Sequence, residues 1–134
     1  MSPLIEEFKK EHSEIMDALK ECRELGFFTK KGQAKLISVK ASLLEHLKDE
    51  DEKFYPVLQK EAEQNKKLKE GLEIFAKDLG NVSSVAFKIF DRYDKGVLDE
   101  KLLLDFGTLF TVLRNRMRNE ENFLYGEYEK LNKL

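Results

Sequence analysis

The stretch Ala41–Pro56, ASLLEHLKDEDEKFYP, decides how the rest of this chain is read. Leu43, Leu44 and Leu47 recur at helical spacing, no glycine interrupts them, and the first breaker is Pro56. The same face carries His46 and Glu50. Side chains four apart stand one above the other on a helix, so Leu43, His46, Leu47, Glu50 and Val57 form one stripe that mixes apolar groups with an imidazole and a carboxylate. Burying such a charge without a partner costs several kcal/mol. Either a cation or a hydrogen-bonded network is therefore expected around Glu50, unless this face is wet.

Outward from this stretch, the chain reads as helix on both sides. Ser2 is placed to cap a first helix, with Pro3 at its first position and Glu6 and Glu7 near its positive end. Its stripe is Phe8, His12, Ile15, Leu19 and Cys22, a 4,3 spacing that defines a bundle seam with an imidazole on it. Gly26 and FFTKKGQ end it, and a second helix is expected from about Gln33 to Gln59, ended or kinked at Pro56. A third seam, Leu68, Leu72, Phe75, Leu79, Val82, Ala86, Ile89 and Tyr93, passes through Gly80-Asn81 without losing phase and stops at Gly96. A fourth helix is expected from Asp99 almost to Leu134, with seam Leu102, Phe106, Leu109, Leu113, Arg116, Glu120 and Phe123. Two charged residues again occupy seam positions.

With 134 residues, 41% hydrophobic and 37% charged, the chain suits one domain spanning residues 1–134. Only 2 Pro and 7 Gly favour an all-α fold. Four helices on short links imply an antiparallel up-down-up-down four-helix bundle. A net charge of −2 lacks the basic excess that phosphate backbones attract, so no nucleic-acid partner is expected. No apolar run reaches the roughly 18 residues of a membrane span, so no membrane partner is expected either. The lone Cys22 reads as a small buried hydrophobe, and with no apolar leader at the N-terminus the expected location is the reducing cytoplasm.

Because each helix rises about 1.5 Å per residue, levels follow by reflecting residue numbers through each connection. His12 then falls level with His46, and His46 and Glu50 with Leu79 and Phe75. These in turn fall level with Arg116 and Glu120, so all the seam polar groups meet in one layer. A loose internal repeat agrees: a shift of 70 residues lays LLEHLKDEDEKFYPVLQK on LRNRMRNEENFLYGEYEK, matching Glu50 with Glu120, Tyr55 with Tyr125 and His46 with Arg116. Two imidazoles and two carboxylates form a plausible shell for one divalent metal, and a single helical turn aims His46 and Glu50 at the same ion. A seam that slips by one residue would substitute Glu121 for Glu120. A histidine on a helix seam is more commonly a hydrogen-bonded core residue than a ligand. DRYDKG fails as a calcium loop, because Tyr93 and Lys95 stand where oxygen ligands are needed.

EHSEI around His12, LLEHLKDEDEKFYP and RMRNEENFLYGEYEKL together resemble the hemerythrin-like (HHE cation-binding) family across nearly the whole chain. That resemblance implies a four-helix bundle around non-haem iron, used in oxygen binding, redox or iron sensing and handling. It implies His12, His46, Glu50 and Glu120 as ligands of one iron. The second iron of the family takes histidines from the third and fourth helices, and here the pattern departs. The third helix has no histidine, offering Phe75 and Leu79, and the fourth offers Arg116. One divalent ion, iron by resemblance, is therefore expected rather than a di-iron centre. Arg116 is expected to stand in for the second metal by bridging both carboxylates, and a small ligand such as dioxygen is expected at the ion. The alternative is a metal-free, degenerate hemerythrin-like bundle that acts on an unknown protein partner. A ferritin-like oxidase is disfavoured because no Glu stands three residues before either histidine. No nucleophile with a base and an orienting group is visible, so no enzyme activity is expected.

Overall fold

The structure, a computed structural model, describes residues 2–97 and 99–132; the side chains of residues 76–83 and 132 lie outside the described part. Leu79 and Val82, both expected on the third seam, fall among them. The regular structure of the described residues is entirely helical. No helix among them is long and apolar enough to cross a membrane.

Helix α1 (Pro3–Leu25) starts where the Ser2 hydroxyl accepts from the Ile5 N–H, and it buries the expected stripe plus Ile5. The chain turns at Gly26, whose φ of +90° is a conformation glycine adopts without a Cβ penalty. Thr29 then caps α2 (Lys30–Lys53) by accepting from the Gly32 N–H, so this helix begins before the expected Gln33. Gly32 is buried against that turn, where a Cβ would lie only 1.8 Å from the Gly26 carbonyl oxygen.

The second helix does not run on to Gln59. It breaks at Phe54, and α3 (Tyr55–Ala62) restarts with Pro56 in its first turn. The proline has no N–H and its ring would strike the carbonyl four residues back, so the chain breaks just ahead of it. The break changes helical phase. Phe54 and Leu58 are buried, whereas Val57, expected on the stripe, is 41% exposed. Leu44, also read into the apolar spacing, faces outward.

Helix α4 (Lys66–Asp94), capped by Asn65, runs unbroken past Gly80 and ends ahead of Gly96, as expected. Asp99 caps α5 (Glu100–Asn119) by accepting from the Leu102 N–H. The fourth helix is not uniform: Glu120–Leu124 is a π-helical turn, and α6 (Tyr125–Asn132) follows it. The Tyr125 N–H reaches the Glu120 carbonyl, five residues back rather than four. The wider turn slips the seam, so that Leu124 and Tyr125 are buried and the expected Phe123 is only half-buried.

Along α1, Lys35 meets Glu21 near the turn while His46 meets Glu11 farther away, so α2 folds back along α1. Arg92 of α4 ties to Asp99 and Asp105 across the next connection. One apolar cluster gathers Ile15, Leu19, Leu36, Leu43, Ile89, Phe106 and Leu113. A second gathers Ile5, Phe8, Phe54, Leu58, Leu68, Leu124 and Tyr125. On α1, on α2 and on α5 with its π turn, the buried polar residues stand between members of the two clusters. They form a polar layer within an otherwise apolar interior.

Candidate metal centre

Among the described residues, two imidazoles, two carboxyls and a guanidinium are buried in that layer: His12, His46, Glu50, Arg116 and Glu120, with Glu50 and Glu120 fully shielded. One donor atom from each of His12, His46, Glu50 and Glu120 lies within 4.8 Å of every other. Two ligands on one ion at bonds of 2.0–2.2 Å stand at most about 4.4 Å apart, so a few tenths of an ångström of closure brings the widest pair onto one metal.

The hydrogen bonds decide which atoms are free to ligate. His46 Nδ1 lies 2.6 Å from Glu11 Oε1, and since a carboxylate only accepts, Nδ1 carries the proton. The Nε2 lone pair then points inward. It stands 3.0 Å from Glu50 Oε1, yet neither atom has a hydrogen-bond partner. Glu120 Oε1, 3.3 Å from His12 Nε2, is likewise without one. Buried polar atoms at such distances are satisfied by a shared proton or by a cation, and the four-donor cluster could hold a metal ion in that role. The donor set suits iron, zinc or manganese.

Two tyrosines, prominent in neither seam, close the layer. Tyr55 Oη donates to Glu120 Oε2 at 2.6 Å. Tyr125 Oη lies 2.9 Å from His12 Nε2 and 3.5 Å from Glu50 Oε2, its ring stacked on that of His12. Arg116 is buried beside both carboxylates, with Nη2 3.8 Å from Glu50 Oε1 and Nε 3.7 Å from Glu120 Oε2. It stands where a bridging cation was expected, but at single ion-pair contacts. The bidentate fork expected of it is not formed, and Nη1 and Nη2 have no hydrogen-bond partner.

The two carboxyls are driven apart electrically. Burial, then the close approach and charge of Glu120, hold Glu50 well above the usual carboxylate range. Burial pushes Glu120 the same way, but the nearby His12 ring and Glu50 carboxyl, the Arg116 charge and the Tyr55 hydrogen bond outweigh it and pull Glu120 down. Like charges this close cannot both ionise cheaply without a further cation. Arg116 remains charged: burial opposes its proton, and Glu120, Tyr55 and Glu50 outweigh that. Burial and the two glutamates push both tyrosine hydroxyls up.

His12, His46, Glu50, Glu120 and Arg116 thus converge as the level count expected. Glu120, not Glu121, faces the interior; Glu121 Oε1 sits at the rim, 3.6 Å from His12 Nδ1. Phe75 is half-buried and packs on the cluster that contains Phe54 and Tyr125. Leu79, its expected neighbour, lies outside the described side chains. Sequence reasoning missed Glu11, which no periodicity singles out, and passed over the tyrosines. Their signal was present: each stands five residues after a buried glutamate, and the internal repeat pairs them. Beside His46 and Glu11, a groove of about 320 Å³ between α1 and α2 opens to solvent. Comparison with protein-family descriptions, with curated proteins and with solved structures gives no match.

Proposed function

We propose that this chain is a hemerythrin-like metal-binding domain, an antiparallel up-down-up-down four-helix bundle in which α2 with α3, and α5 with α6, each make one of the four rods. It holds a single divalent ion through His12, His46, Glu50 and Glu120. The observation that carries this reading is the gathering of one donor atom from each of the four residues within 4.8 Å, with His46 Nε2 and Glu50 Oε1 both left without a hydrogen-bond partner and the other ring nitrogen of His46 committed to Glu11. Iron is the ion favoured by the family resemblance and compatible with two imidazoles and two carboxylates. Bound iron supplies Lewis acidity and one-electron redox chemistry, which fits the sensing or handling of oxygen, redox state or iron rather than catalytic turnover.

A second iron does not fit the residues present, because the Arg116 guanidinium already places a cation beside Glu50 and Glu120. A metal-free interaction module is the second reading, favoured by the Tyr125 contact that occupies His12 Nε2 at 2.9 Å. Elemental analysis of protein purified without chelator separates the two. At most one metal per chain is expected. Two irons per chain would overturn the mononuclear site, and no uptake of iron, zinc or manganese under anaerobic conditions would leave the metal-free module.

A further inference from the structure

We infer that Tyr125 is a fifth ligand of the ion, coordinating through its phenolate oxygen; this rests on the metal-binding reading above. Tyr125 Oη is 2.9 Å from His12 Nε2 and 3.5 Å from Glu50 Oε2. Two donors at right angles on one ion with bonds of 2.0–2.2 Å are separated by about 3 Å, so Tyr125 Oη already stands at the spacing of a neighbouring ligand. In the metal-free chain the phenol makes the hydrogen bond that an ion would displace.

Two further observations point the same way. The first is backbone geometry. Five residues along an α-helix turn through about 140° beyond a full revolution. Glu120 and Tyr125 could not then share the interior, yet the π turn between them brings both inward. Single π turns commonly mark functional sites. The second is charge. With neutral imidazoles, Glu50 and Glu120 balance a divalent ion and leave the buried Arg116 charge uncompensated by any other fully buried acid among the described residues. One phenolate balances it. Glu11 and Glu121 lie at the rim, with side chains 23% and 34% exposed, where water shares their neutralisation. A trivalent ion adds one more positive charge and strengthens the demand. The step is a simple exchange: the phenol O–H bond breaks, the oxygen–metal bond forms, and one proton passes to solvent.

Chelator-treated full-length chain is loaded with ferric citrate, and iron content and visible absorption are read together. Wild type and Tyr55→Phe are expected to bind iron and show the visible phenolate-to-ferric charge-transfer band with tyrosinate vibrations in resonance Raman. Tyr125→Phe is expected to bind iron and lose the band, with unchanged circular dichroism. Bound iron without the band in wild type, or a band that survives Tyr125→Phe, overturns the fifth-ligand assignment and leaves the four-residue site standing. No bound metal in wild type overturns both. If Tyr125→Phe does not fold, the tyrosinate vibrations of iron-loaded wild type and iron-loaded Tyr55→Phe decide the question: their presence in both supports the assignment, and their absence from either while iron is bound overturns it.

Discussion

Replacing Arg116 with methionine removes the buried cation that the described residues give the polar layer while keeping a side chain of comparable length. In the metal-free chain burial and the nearby Glu120 hold the Glu50 carboxyl well above the usual range while Glu120 is pulled below it, so the pair of Arg116 with Glu120 carries most of the charge balance. At 3.7 Å and an effective dielectric constant of about 20, that pair is worth about 4 kcal/mol. Methionine recovers about 1 kcal/mol in apolar burial. The expected loss is about 3 kcal/mol, at the lower end for breaking a buried pair. Urea titration of chelator-treated wild type and Arg116→Met at pH 7 reads it directly. The pH dependence has a definite sign. A carboxylate held below its unfolded value stabilises the fold above that unfolded value and loses the contribution as the pH falls through the folded one. The wild-type advantage should therefore persist at neutral pH and shrink once the pH drops below about 4.3, the value for an unfolded glutamate. It should also shrink when divalent metal takes over the neutralisation. Equal stability of the two proteins at pH 7 without metal would refute the reasoning, because Arg116 would then carry none of the layer's charge balance.

Glu50→Gln should separate stability from metal binding. The raised Glu50 pKa gives stability that is complete below the unfolded value and lost as the pH rises through the folded one. Thermal unfolding without metal should find the glutamine variant about 1 kcal/mol or more the stabler at alkaline pH, with metal uptake lost. Glu11→Gln removes the carboxylate that fixes the His46 tautomer, and competition with a coloured chelator should show metal affinity falling about 10- to 100-fold. Gly32→Ala drives a Cβ into the Gly26 carbonyl, so despite the helix propensity of alanine it should lower the denaturation midpoint. An unchanged midpoint would mean that the turn yields.

Most of the helical framework could be read from spacing alone, because each seam repeats over many turns and an error at one residue is outvoted by its neighbours. The convergence of the four candidate donor residues was legible for the same reason: they interrupt apolar seams at levels that helices folding back on one another bring together. What escaped were the places where helical phase changes. Val57 and Phe123 continue a uniform α-helix and were placed inside; the Phe54 break and the π turn move them outward. Such a step depends on local backbone geometry, near Pro56 in one case and within Glu120–Leu124 in the other, which side-chain periodicity does not encode. Glu11 was invisible for another reason, since a half-exposed glutamate on a charged helix face looks like its neighbours until His46 is seen against it.

The π turn is also a surplus of one residue relative to a plain α-helix, held between Glu120 and Tyr125. Deleting Asn122 would leave a plain α-helix in which Tyr125 stands four residues after Glu120, about 40° beyond a full revolution, so it and everything after it would keep facing inward. The link from Ser2 to Glu129 would be kept with them. A substitution that straightened the turn at its present length would instead swing Tyr125 about 140° past a full revolution and out of the interior. In this segment a change of length is thus the tolerated perturbation and a change of helix type at fixed length the damaging one, and a single-residue deletion there would tell the two apart without altering any of the four candidate ligands.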